Sequence, residues 1–123
     1  MRVKKIKIGI KDLKSILQDV VETGEAIEQG KRLKPVKEPK IYFTSIEALR
    51  KALTPKRLEL LRTIKTRKPS SINELARFAK RDIKNVADDL KYLGQIGLIE
   101  REETDRKTKP VIYYDRIVFE IAV

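Results

Sequence analysis

Residues Thr54–Tyr114 read TPKRLELLRTIKTRKPSSINELARFAKRDIKNVADDLKYLGQIGLIEREETDRKTKPVIYY, and this stretch decides the fold. Thr54-Pro55 opens a helix: a threonine oxygen caps the first turn, and proline suits the next position because its missing N–H has no partner there. Leu58, Leu61 and Ile64 follow at spacings of three, with Leu60 beside them, and make one apolar stripe. Pro69 disfavours helical geometry at Lys68, so the helix ends near there. Ser71-Ile72-Asn73-Glu74 is a capping box, in which the Ser71 hydroxyl accepts from the Glu74 N–H and the Glu74 side chain reaches back to the N–H of Ser71. Ile72, Leu75, Ala76 and Ala79 form the inner face of this second, short helix. Asp82 caps a third helix through about Ile96, whose inner stripe is Ile83, Val86, Leu90, Leu93 and Ile96. Its opposite face carries Lys84, Asn85, Asp88, Lys91 and Tyr92, and Gly97 is placed to stop it in a left-handed turn.

Leu98 to Glu103 then reads as a strand, residues 104–110 as a polar turn with no aliphatic or aromatic side chain, and Val111 to Tyr114 as a second strand. Three helices followed by a hairpin predict an α+β fold, the winged helix-turn-helix: a three-helix core plus a β-hairpin wing. Two additions flank it, an N-terminal strand-helix extension and an extra C-terminal strand.

The segments LTPKRLELLRTI and SSINELARFAKRDIKNVADDLKYLGQIGLIE, with the hairpin that follows, resemble MarR/ArsR-like winged-helix transcriptional regulators, and most closely the small archaeal and bacterial DNA-binding regulators of that type. The resemblance covers about residues 41–114. It implies that the helix carrying Lys84 and Asn85 is the recognition helix, that Arg106, Lys107 and Lys109 lie on the wing, and that the protein is a homodimer. The chain departs from metal-sensing relatives, since it has no Cys and no His to bind a soft metal.

Composition agrees with an anionic partner. A formal charge of +11 on 14.3 kDa is large. The absence of cysteine excludes a disulfide framework and thiol chemistry, and the absence of histidine removes the commonest neutral-pH general base. The carboxylates are spread along charged helix faces with no nucleophile–base pair and no glycine-rich phosphate loop, so neither an enzyme nor a bound cofactor or metal is expected. The basic start is followed by no long apolar run, and charges interrupt every apolar stretch; neither a signal peptide nor a membrane partner is expected, and a cytoplasmic location follows. The abundance of Lys and Glu fits a thermophile.

Outside the deciding stretch, Val3 to Ile10 alternates, with Ile6, Ile8 and Ile10 on one face of a half-buried strand. Lys11 to about Gln29 reads as a helix with Leu13, Ile16, Leu17, Val20 and Val21 inward. Residues 31–39 are a charged connector with two prolines, which divides the chain into an N-terminal arm and linker, 1–39, and a winged-helix DNA-binding domain, 40–123. Lys40 to Thr44 is a short strand, and Ser45 caps a small helix through Leu53, with Ile46, Leu49 and Leu53 inward. Ile117 to Ile121 is a last strand, expected to pair with the N-terminal strand or with Lys40–Thr44.

Three groups are candidates for contact with double-stranded DNA. Arg81, Lys84 and Asn85 stand where groove-entering helices carry base-reading side chains, with Asp88 and Lys91 further along that face. Asp88 and Asp89 work against a purely electrostatic surface; Asp89 is expected to lie off the groove and Asp88 at its edge. Arg106, Lys107 and Lys109 on the wing suit phosphates or a minor groove. Lys68, Ser70 and Ser71 precede the second helix, with Lys65 and Arg67 beside them, and N–H groups at a helix start suit a phosphate. Each group also has an ordinary reading: a solvated helix face, a charged hairpin tip, and simple capping. The favoured function is a sequence-specific, dimeric transcriptional repressor. Two alternatives stand beside it: an antitoxin-like module that holds a protein partner through residues 1–30, and a winged helix that binds RNA.

Overall fold

The computed structural model describes residues 5–11, 14, 17, 18 and 40–121. The elements in chain order are β1 (Lys5–Ile10), β2 (Lys40–Phe43), α1 (Ile46–Ala52), α2 (Pro55–Arg67), α3 (Ile72–Ala79), α4 (Ile83–Gln95), β3 (Glu100–Thr104), β4 (Lys107–Val111) and β5 (Arg116–Glu120). This is the α+β architecture that the sequence predicts: a small helix, three core helices, a hairpin, and flanking strands. Contacts gather the chain into two compact units, residues 1–50 with 114–123, and residues 51–113.

The first unit is built on a three-stranded sheet of order β2-β1-β5, parallel throughout. β1 is the central strand. Ile8 pairs with Ile41 on one side and with Phe119 on the other, so β5 joins the N-terminal strand within one chain. One face of the sheet is apolar: Ile6 and Ile8 are buried and so is Phe43, while Phe119 and Ile121 on the β5 edge are about half exposed. Of the helix read over residues 11–29, Lys14, Leu17 and Gln18 are helical, Lys11 is not, and Leu17, placed inward by the pattern, is exposed. The rest of that helix and the connector 31–39 lie outside the described residues.

The second unit holds α2, α3, α4 and the wing. Each helix start is capped as its sequence dictates: Thr54 Oγ1 accepts from Arg57 N–H at 3.2 Å, Ser71 Oγ from Glu74 N–H at 3.1 Å, and an Asp82 carboxylate oxygen from Lys84 N–H at 2.9 Å. The reciprocal half of the capping box differs by one residue. The Glu74 side chain accepts from the N–H of Ser70 rather than Ser71, at 3.1 Å. Lys68 and Lys80 end α2 and α3 in the left-handed region, at φ 47° and 55°. Gly97, at φ 89°, reverses the chain after α4, and Leu98 N–H closes back on Leu93 O at 2.9 Å.

The core is made by Leu60, Leu61 and Ile64 from α2, Leu75 and Ala76 from α3, Val86, Leu90 and Leu93 from α4, and Leu98 and Ile99 ahead of the wing. α3 packs against both α2 and α4, and β4 packs on α2 and α3. Besides Leu17, three residues assigned inward are exposed instead. Leu58 is 39% exposed because a spacing of three residues drifts by about 60° per step on a helix of about 100° per residue, so it leaves the stripe that Leu60 continues. Ile83 is 45% exposed and Ile46 52%. Both open their helices, and a side chain in the first turn leans back past the helix end.

The wing turn is tighter than its sequence suggests. β3 and β4 run antiparallel from Glu100↔Val111 to Thr104↔Lys107, which leaves only Asp105 and Arg106 as the loop. Both have positive φ, 43° and 66°, as a two-residue type I′ turn requires. Lys107 and Lys109 are therefore strand residues, not turn residues, and the second strand ends at Val111 rather than Tyr114.

Candidate nucleic-acid interface

The outer face of α4 comes first, because its inner face fixes it. With Val86, Leu90 and Leu93 fully buried, Lys84, Asn85, Asp88 and Lys91 are left exposed. Lys84, Asp88 and Lys91 fall at i, i+4 and i+7, which is one stripe, and Asn85 borders it. An exposed amide and two ammonium groups on the leading turns of a helix roughly 20 Å long can donate to base edges and phosphate oxygens.

Arg81, grouped with these residues by position, is placed differently. Its Nη2 donates to Asp89 at 2.9 Å and its side chain is only 21% exposed. The other oxygen of Asp89 accepts from Arg57 Nε at 3.0 Å. One carboxylate thus joins the start of α4 to α2, and Arg81 is spent on that join rather than presented to a groove. Asp89, half-buried, is turned to the two arginines, whereas Asp88 is exposed.

Arg57 extends the join. Its Nη1 donates to the carbonyls of Lys51 and Ala52, both at 3.0 Å, and its guanidinium lies 4.3 Å from the centre of the Tyr92 ring. Sequence reading missed Arg57, because its partner lies 32 residues away and no local pattern connects them. Arg67 likewise stacks on Phe78 at 3.7 Å.

On the wing, Arg106 sits at the tip and is exposed, as is Lys107, while Lys109 is half-buried. Lys109 stands directly across the ladder from Glu102. The Tyr113 hydroxyl donates to Glu102 at 2.7 Å. That bond, with desolvation and the nearby charges of Glu102 and Glu100, holds the Tyr113 phenol above its ordinary value of 10.0. Ahead of α3, Lys68 and Ser70 are exposed and Ser71 is half-buried, its hydroxyl engaged as the cap.

Among the described residues, no group of three or more acidic side chains is placed to hold a metal, and no helix is long and apolar enough to cross a membrane. No curated protein matches the sequence. Among solved structures, the chain is similar to a MarR-like transcriptional regulator from Thermotoga maritima, with 18% identity and a TM-score of 0.45 over 83% of this chain. The match spans 65% of that protein's chain, less than two thirds of its length. The HVO_A0114 family model matches residues 52–119, more than half of the sequence and all of the elements from α2 to the wing, and the chain belongs to the HVO_A0114 family.

Proposed function

We propose that the 51–113 unit binds double-stranded DNA and that the protein acts as a sequence-specific transcriptional regulator, a homodimeric repressor. α4 enters a major groove with Lys84 and Asn85 toward the bases, and Asp88 and Lys91 follow along its edge. Arg106, Lys107 and Lys109 on the wing meet the backbone or the adjacent minor groove, and Lys68 and Ser70, next to the Ser71 cap, meet a phosphate at the start of α3. Arg81 positions α4 through Asp89 instead of reading bases. The observation that carries this reading is the exposure of Lys84 and Asn85 on a helix whose other side buries Val86, Leu90 and Leu93 in the core. The charge of +11 supplies the attraction.

Selection of bound fragments from random duplex DNA tests partner, sequence and symmetry together. A dimer should recover a two-fold symmetric site with half-sites roughly 34 Å apart. If about six to ten phosphates are engaged, affinity falls by about a thousandfold or more between about 50 and 200 mM salt. Asn85→Ala should relax sequence preference, whereas Lys107→Ala should weaken all sequences alike. No retention of any duplex at low salt, or preference for duplex RNA over DNA, overturns the proposal.

A further inference from the structure

We propose that two copies of the chain pair through the outer edge of β5, antiparallel about a two-fold axis at Val118. This names the interface of the homodimer proposed above, and rests on that reading for the dimer alone. β5 is an end strand of the β2-β1-β5 sheet, and among the described residues no strand pairs with its outer side. Alternate residues along that side turn an N–H and a C=O outward, which a further strand can satisfy. Natural sheets guard such edges with lysine, proline or a bulge. The other end strand, β2, is only four residues long and opens on Lys40. β5 has five residues, Arg116-Ile117-Val118-Phe119-Glu120, with no lysine and no proline. Its register on β1 runs unbroken from Lys5↔Arg116 to Gly9↔Glu120, so no bulge turns the edge away. Ile6 stands beside Ile117 and Ile8 beside Phe119, so the apolar face of the sheet reaches this edge, where Phe119 and Ile121 are about half exposed.

The strand's own sequence selects a second copy as the occupant. In an antiparallel self-pairing centred on Val118, Arg116 faces Glu120 of the second copy, Ile117 faces Phe119, and Val118 faces itself; the two-fold axis then repeats the first two pairs. Both charged pairs are opposite in sign, both side chains of each are exposed, and both lie on one face of the sheet. Both apolar pairs lie on the other face, where they carry the apolar surface across from one copy to the next and cover Phe119. A shift of two residues in either direction sets a charge against Val118 instead, and a shift of one sets charged side chains against apolar ones. The complementarity thus fixes the register as well as the partner.

Light scattering of the full chain along a dilution series, without DNA, should show a dimer in equilibrium with its monomer. Arg116→Glu alone, or Glu120→Arg alone, should weaken the dimer about tenfold, because each sets like charges opposite one another at two places. The two changes together should restore it. Neither change brings like charges together across β1, where Arg116 stands beside Lys5 and Glu120 beside Gly9, so the sheet within one chain is spared. The chain has no cysteine, so Val118→Cys puts a single thiol on the axis. Directly opposed residues of an antiparallel pair have Cα atoms about 4.5–5.5 Å apart, within reach of a disulfide. Mild oxidation should link two chains of Val118→Cys, and should not link Tyr42→Cys on the other end strand. A monomer at every concentration, single exchanges without effect, or a double exchange no better than the single ones would each overturn the interface. Loss of all duplex binding with this dimer intact would defeat the DNA reading and leave the interface standing; duplex binding by a monomer would do the reverse.

Discussion

Asp89 ties the helical unit together through two arginines. It is half-buried and accepts from two arginines on different segments, Arg57 and Arg81. Replacing it with Asn leaves two guanidinium groups short of their counter-charge; one nitrogen of Arg81 is already buried without a hydrogen-bond partner. Asp89→Asn should cost roughly 2–3 kcal/mol, read as a lower urea midpoint at unchanged slope, because the groups are mostly withdrawn from water. The phenols offer a second measurement. Tyr113 is raised by its bond to Glu102, and Tyr114 is raised by burial. A phenol whose folded pKa exceeds its unfolded one stabilises the fold fully below about pH 10 and loses that contribution as pH climbs through the folded value. An absorbance titration should therefore show late phenolate formation, and Tyr113→Phe and Tyr114→Phe should each remove one late component.

At the scale of elements, local chemistry was legible and long-range chemistry was not. Thr54, Ser71 and Asp82 could be identified as caps because a cap needs only its own next few residues. Ile83 could not be placed, since periodicity assigns a direction but not a neighbour to cover it. The wing shows the other limit. β3 overlaps the strand read over Leu98 to Glu103, but Asp-Arg lacks the Asn-Gly signature of a two-residue turn, so the length of the turn could not be read. The ladder nevertheless continues to Thr104↔Lys107. Arg106→Gly should relieve a left-handed residue at φ 66° and stabilise the protein by about 0.5 kcal/mol, part of the relief being offset by a more flexible unfolded chain. The same change should weaken duplex binding, so thermal melts and DNA titrations should move in opposite directions.

For the whole molecule, the composition marks residues 31–39 as a boundary, yet the compact units divide near 50 and 113. The cause is the pairing of β5 with β1, a contact between distant parts of the chain that no run of charge or proline announces. That β5 would pair with one of the early strands was readable from its alternation; that it would run parallel to β1 was not. A chain ended at Tyr113 should lose hydrogen-exchange protection at Ile6 and Ile8 while the α4 amides keep theirs, and it should self-associate on a sizing column.

The same pairing sets an order of events during synthesis. The ribosome delivers β1 first and β5 last, with the three-helix unit in between, so that unit can complete its core while the outer side of β1 still waits for its neighbour. Until then the nascent chain carries a bare, isoleucine-rich strand edge. Slowing translation between α4 and β5 should therefore harm the yield of this protein more than slowing it between β1 and α2.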